Sequence, residues 1–511
     1  MKASIQNRLE KAKRRIEKRL RPKVWSEQPK PMLTAHNIRY EVADRISGLA
    51  AGGIGAIHLL AQQSGLIDLI DKHVQVLKRH VPYHESDHVL NLAYNVLAGG
   101  SRIEHLELRR NNEVYLDALG AERIPDPTTA GDFCRRFQAA DVERLLECIN
   151  EARLRVWRRQ PKGFFEEAVI DGDGTIAPTS GECKEGMQLT YDGQWGYHPL
   201  VISLANTGEP LYVINRSGNR PSAEGAAAWF DRAITLCRRA GFPKIRLRGD
   251  TDFSQTKYLD GWDAAGVKFV FGLDAMRNLK DLAENLPEFA FRPLVRPPKY
   301  QVKTKPRKRP PNVKQQIVIE KNFEDRRLVR EDVAEVAYSP TACAKIYRLV
   351  IVRKTIAVER GQQRLFDEVL WLFYLTNDRE KSATQIVRDA NQRCNQENLN
   401  AQLKGGVKAL ALPVDSLVSN WAYMVMASLA WTLKVWSALW LPEDGRWAKQ
   451  RGAEKQRLLR MEFGTFVQAM IQIPCQIVRT GRRIVYRLLS WNPWAAVLLR
   501  LVSQLRRPLR C

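Results

Sequence analysis

Two short apolar runs, each ending in a pair of aspartates, constrain this chain more than any other feature. "VIDGDGTIAPT", residues 169–179, carries Asp171 and Asp173, and "KIRLRGDTDF", residues 244–253, carries Asp250 and Asp252. Residues 168–170 and 245–247 read as strands, and Gly172 and Gly174 end the first with permissive backbone. The members of each pair lie two apart, so on an extended chain they point the same way. Carboxylates this close repel unless something positive sits beside them. A turn with both aspartates facing water is one resolution; a held cation is the other. In a mixed sheet the two strand ends can be neighbours, and sites in α/β sheets form at such ends.

A third carboxylate joins them in "RCNQENLNAQLK". Arg393, Glu397 and Lys404 are spaced by four and seven, which places them on one helix face. Alone, Arg393 and Glu397 read as a surface i,i+4 pair, which contributes little. Two strand-end aspartates and a helix glutamate together form a hard-oxygen set suited to Mg²⁺ or Mn²⁺. Two such ions, about 3.5–4 Å apart, can activate an attacking oxygen and stabilise the leaving one at phosphorus. The pattern therefore reads as a nuclease or strand-transfer enzyme.

The charge points to the substrate. Lys and Arg number 81 against 56 Asp and Glu, a net charge of +25. Such a surplus suits a long polyanion, because every phosphate neutralised releases condensed counterions. It is concentrated in three tracts. Residues 1–22 hold nine basic and two acidic residues in a helical pattern ended by Pro22. Residues 299–314 hold seven basic residues, including Lys305, Arg307, Lys308 and Arg309, with three prolines that favour an extended arm. Residues 479–511 hold eight arginines and no acid, interleaved with Trp491 and Trp494. Three tracts on one chain predict a distributed nucleic-acid surface.

Other classes fit less well. There is no GxxxxGK[ST] loop for nucleotide-driven chemistry and no CxxC spacing among the eight cysteines. Free thiols fit a reducing cytoplasm, and the N-terminus is too charged for a secretory signal. The apolar stretch 417–433 is short and carries Ser419, Asn420, Ser428 and Thr432, which predicts a buried core helix and no membrane partner. His80, His84 and His88 resemble a zinc set, but Pro82 interrupts any helix there. A glycosidase reading of the carboxylates leaves the basic tracts unexplained.

Pattern switches divide the chain into five parts: a helical, basic N-terminal DNA-binding region (1–160), a mixed α/β core in two pieces (161–285 and 377–445), a β-rich segment between them (286–376) and a basic helical C-terminal region (446–511). Strands are expected at 198–204, 211–214 and 267–271, and then in "QQIVIEK", "KIYRLVIVRK" and "EVLWLFYLT". Helices are expected at 223–240, 255–265, 381–403 and 416–441.

Asp173-Gly-Thr, "RGDTDF" and Arg393-x3-Glu397-x6-Lys404 resemble the signature of DDE transposases of bacterial insertion sequences. The likeness runs from about residue 165 to 410. "YLTNDRE…RCNQENLNAQLKGGV" looks like insertion-sequence family thirteen-eighty, of the Tyr-Arg-Glu-Lys subgroup, although the motif tyrosine falls on Ala390. The resemblance implies a ribonuclease H-like core interrupted by a β-rich insertion. It implies cut-and-paste transposition by a homodimer holding both element ends, with two Mg²⁺ or Mn²⁺ ions on Asp173, Asp250 and Glu397. Arg393 and Lys404 would then meet DNA phosphates. "WLFYLT" resembles a segment whose tryptophan stacks on a flipped base, which assigns that role to Trp371. Asp171 and Asp252 remain alternates for the metal. A catalytically inactive, transposase-derived DNA-binding protein is the competing expectation.

Overall fold

The computed structural model describes residues 3–21, 46–296, 311–480 and 483–506. Lys305, Arg307, Lys308 and Arg309 lie outside the described residues, so the expected arm is left where the sequence placed it.

The first basic tract forms α1 (Ala3–Leu20). Helices follow as α2 (Ile54–Gln63), α3 (Leu66–His73), α4 (Glu85–Leu97), α5 (Pro127–Arg135) and α6 (Ala139–Trp157). Helix α5 shows how local chemistry sets an end. Asp126 accepts from the Thr129 amide at 2.8 Å, and Pro127 takes the first helical position, where no N–H is needed.

The mixed sheet begins with β1 (Ala168–Gly174), β2 (Leu200–Leu204) and β3 (Glu209–Ile214). After α7 (Ala226–Ala240) come β4 (Ile245–Gly249) and β5 (Val267–Leu273). Strands β2 and β3 form an antiparallel meander on β1, whereas β4 runs parallel to β1 and β5 parallel to β4. The β-rich segment continues this sheet with β6 (Arg292–Pro293), β7 (Glu324–Tyr338), β8 (Tyr347–Arg360) and β9 (Gln363–Thr376). The nine-stranded order is β6-β7-β8-β9-β5-β4-β1-β2-β3. The insertion is thus joined edge to edge, with Phe373–Thr376 pairing against Val270–Leu273.

One expected strand is a helix. "QQIVIEK" lies in α8 (Val313–Glu320), where Asn312 accepts from the Gln315 amide at 3.2 Å. Only Val318 of that helix is buried, so its β-branched residues find no sheet face to pack on.

Past the sheet, the single expected helix at 381–403 is two, α9 (Ala383–Asn391) and α10 (Cys394–Ala401), broken at Gln392 and Arg393. Then α11 (Leu417–Leu439) is buried along its length from Ser419 onward, as a core helix should be. Among the described residues no helix is long and apolar enough to cross a membrane. Helix α11 is fastened to the sheet through Glu209 of β3. That carboxylate is fully buried and accepts from Trp436 Nε1 at 2.9 Å, Trp157 Nε1 at 3.0 Å, Arg153 Nε at 3.1 Å and Thr207 Oγ1 at 2.7 Å. One buried charge with every lone pair engaged ties α6, β3 and α11 into one unit.

The basic C-terminal region is not all helix. After α12 (Ala448–Arg460) it contains β10 (Cys475–Thr480) and β11 (Arg483–Leu488) before α13 (Ala495–Leu505). The β-branched and aromatic residues Ile477, Val478, Ile484, Val485 and Tyr486 favour strands, and β10 pairs with Gly48–Leu49 near the other end of the chain. Tyr486 Oη donates to the Ala118 carbonyl at 2.6 Å. A long-range pairing of this kind leaves no trace in local sequence.

Candidate active site

Strands β1 and β4 are parallel neighbours, so their C-terminal ends open on the same edge of the sheet. Register sets what stands there. Pairing between them stops at Asp171 opposite Arg248, while β1 continues through Asp173 alongside Val201 of β2. The strand does not end at Gly172, contrary to expectation. Its glycines serve close packing: a Cβ at Gly172 would strike the Phe230 ring, and one at Gly174 the His198 imidazole.

The first pair divides by this register. Asp171 is 1% exposed and receives Arg248 Nε at 2.7 Å and Nη2 at 2.8 Å. Arg248 Nη1 also donates to the Asp389 carbonyl at the end of α9, at 3.0 Å. Asp171 therefore holds β4 and α9 to β1 and is not a free ligand. Burial raises its pKa against the pull of Arg248. Asp173, one alternation further, faces the open end.

The second pair divides as well. Asp250 begins a short helical turn and accepts from the Asp252 amide at 3.2 Å, leaving its other oxygen toward the site. Asp252 is exposed.

Helix α10 closes the site from above. Gln396 is buried, accepts from the Ser203 hydroxyl and donates to the Val201 carbonyl at 3.3 Å. That anchor on β2 fixes the flanking turns. Arg393 Nη1 stands 3.5 Å from Asp173 Oδ1 and 3.7 Å from Asp250 Oδ2, and Nη2 stands 3.4 Å from Glu397 Oε1. Three carboxylates from three distant segments therefore share one guanidinium. Arg393 and Glu397 do lie on one face, as the spacing implied. Lys404 sits beyond α10 in a wider turn over Gln402–Gly406, where desolvation lowers its pKa against the opposing pull of Asp173.

Desolvation pushes the Asp173 carboxyl up to about 7, the nearby carboxylates add to this, and Arg393 opposes it. Burial also raises Asp250. A buried acidic group that resists ionisation in a cluster of like charges calls for a cation. Hard carboxylate oxygens suit Mg²⁺ or Mn²⁺ by donor type. Gathered around a guanidinium, however, they are not set to ligate an ion as they stand: among the described residues no three His, Cys, Asp or Glu side chains are placed to hold a metal.

Two neighbours escaped the sequence reading. Asn400 Nδ2 donates to Asp173 Oδ2 at 2.9 Å; its place three residues after Glu397, on the same helix face, was the available signal. His198 donates from Nδ1 to the Arg220 carbonyl at 2.8 Å and lies over Gly174. Nothing local marks it.

Trp371 is a correction. It is 8% exposed, lies in the main core and packs against Phe291 with ring centroids 5.9 Å apart. Phe373 and Leu375 are buried with it on the same strand, so its ring is not available to stack on a base.

A family described as transposase DDE domain group 1 matches residues 45–509. This chain is a DDE transposase. Its family places it among enzymes that move DNA and generally use divalent metal ions. Among solved structures it is similar to a piggyBac transposase in a synaptic complex with hairpin DNA, at 10% identity and a TM-score of 0.36, covering 82% of this chain and 81% of that one. No curated protein sequence matches it.

Proposed function

We propose that this DDE transposase is encoded by a bacterial insertion sequence resembling family thirteen-eighty, and that it cuts element ends and joins them to target DNA. The observation that carries this reading is the convergence of Asp173, Asp250 and Glu397 on one cationic point at the edge where β1 and β4 end. The order β3-β2-β1-β4-β5, with β2 alone antiparallel to the other four, supports a ribonuclease H-like core.

Asp173, Asp250 and Glu397 would hold the metal, and Asn400 would orient the Asp173 carboxylate. Two Mg²⁺ or Mn²⁺ ions, when bound, supply Lewis-acid activation and charge neutralisation for in-line displacement at phosphorus. Arg393 and Lys404 neutralise DNA phosphate and fix the strand's approach. The basic tracts, Lys305, Arg307, Lys308 and Arg309 among them, extend the contact along the duplex. A homodimer would hold both element ends, in the bacterial cytoplasm at the nucleoid.

Labelled element-end DNA incubated with the protein and Mg²⁺ tests the proposal. Cleavage that disappears in Asp173→Asn, Asp250→Asn and Glu397→Gln, with end-binding retained, is the expected result. Binding without cleavage by the parent protein would overturn it in favour of an inactive DNA-binding protein.

A further inference from the structure

The guanidinium of Arg393 does something the phosphate role does not require. It stands between the three carboxylates, at 3.4–3.7 Å from each, rather than committed to one of them. Good charge-assisted hydrogen bonds are shorter, about 2.7–2.9 Å. Its Nη1 is buried without a hydrogen-bond partner, as is Asn400 Oδ1 beside Asp173. A cation suspended among three acceptors, with a donor unused, is held by the sum of their charges and not by geometry. The hold is therefore general, and any stronger cation can replace it.

We propose that Arg393 and a divalent cation compete for the same three carboxylates, so that taking up the ion and releasing Arg393 are one event. This rests on the metal-dependent reading above. Oxygens ligating Mg²⁺ or Mn²⁺ must close to about 2.0–2.2 Å from the ion, whereas here they surround a planar group at much longer range. The carboxylates cannot draw together while the guanidinium stands between them. Arg393 begins α10 at the break after α9, and its side chain is 18% exposed, so the route out is toward the open edge. There the freed guanidinium is an anion site, and a DNA phosphate is the anion that the site's chemistry brings to it. Ion and phosphate then reinforce each other, each increasing affinity for the other by the same factor. Without DNA the carboxylates keep their internal partner, and the ion is held weakly.

Mn²⁺ binding to the full chain, followed by electron paramagnetic resonance without DNA, tests the competition. Arg393→Gln should bind Mn²⁺ roughly tenfold more tightly than the parent, a modest coupling by the usual scale. Arg393→Lys, which keeps the charge, should stay close to the parent. Equal or weaker affinity in Arg393→Gln would overturn the competition while leaving metal-dependent cleavage standing. No Mn²⁺ binding by parent or variant would overturn both. A second measurement needs no variant: modification of Arg393 by phenylglyoxal, read by peptide mass spectrometry, should speed up when Mn²⁺ is added. An unchanged or slower rate would overturn release.

Discussion

Arg248 on β4 donates to both carboxylate oxygens of Asp171 on β1, at 2.7 and 2.8 Å, with both side chains shielded from water. The pair separates two aspartates that sequence treats alike. Asp171→Asn leaves a buried guanidinium without its counter-charge, which should lower stability by about 3–5 kcal/mol. Asp173→Asn removes a carboxyl that is already costly to ionise and should leave stability within about 1 kcal/mol of the parent or raise it. Equilibrium urea unfolding of both variants decides. If Asp173→Asn is the more damaging, the division of roles is reversed.

Trp371→Ala should cost about 3–5 kcal/mol, as expected for emptying a large buried site. Its effect on DNA processing should follow the loss of folded protein. Trp371→Phe should recover most of both. A variant that unfolds normally yet fails to process DNA would restore a direct role for the indole.

Asn400→Ala removes the donor that fixes Asp173 Oδ2, and with it a buried carbonyl oxygen lacking a partner. Stability should change little, because the lost hydrogen bond and the removed unsatisfied group offset each other. Cleavage of element-end DNA should fall by roughly 10- to 100-fold, the usual effect of losing a group that orients a ligand. Single-turnover assays at saturating Mg²⁺ would show it, and an unchanged rate would remove Asn400 from the site.

Lys434, fully buried in α11, donates to the Leu459 carbonyl at 2.7 Å and lies 4.0 Å from the centre of the Trp431 ring. Burial lowers its pKa from 10.5 to about 7. Between about pH 7 and 10.5 the unfolded chain holds a proton here that the folded chain does not, so stability rises with pH across that window. Below pH 7 the charged amine carries its full burial cost. Lys434→Met should therefore stabilise the protein by roughly 2–4 kcal/mol at pH 6, with the gain vanishing toward pH 10.5. Thermal unfolding across that range measures it; a pH-independent difference would show that the amine is charged in both states.

Sequence alone determined the mixed α/β class, the two aspartate-bearing strands, the Arg393–Glu397 face and the burial of α11. These follow from periodicity and charge, which are local. What it left open was decided by partners distant in the chain. Alternation gives Asp171 and Asp173 the same face, but β4 pairs only as far as Arg248, so Asp171 is covered and Asp173 is left at the edge. Arg246 and Arg248 are buried on β4, where a charge must be paired, and only the fold shows their partners to be Asp378 and Asp171. Trp371 became core because Phe291 packs against it, and residues 313–320 became helix because no strand takes up their edge. Spacing placed Arg393 beside Glu397, but it was the packing of α10 on β2 that turned its guanidinium onto Asp173 and Asp250. Local pattern fixes which way a side chain points; only tertiary contacts fix what it meets, because electrostatic and packing energies depend on distance in space and not on separation along the chain.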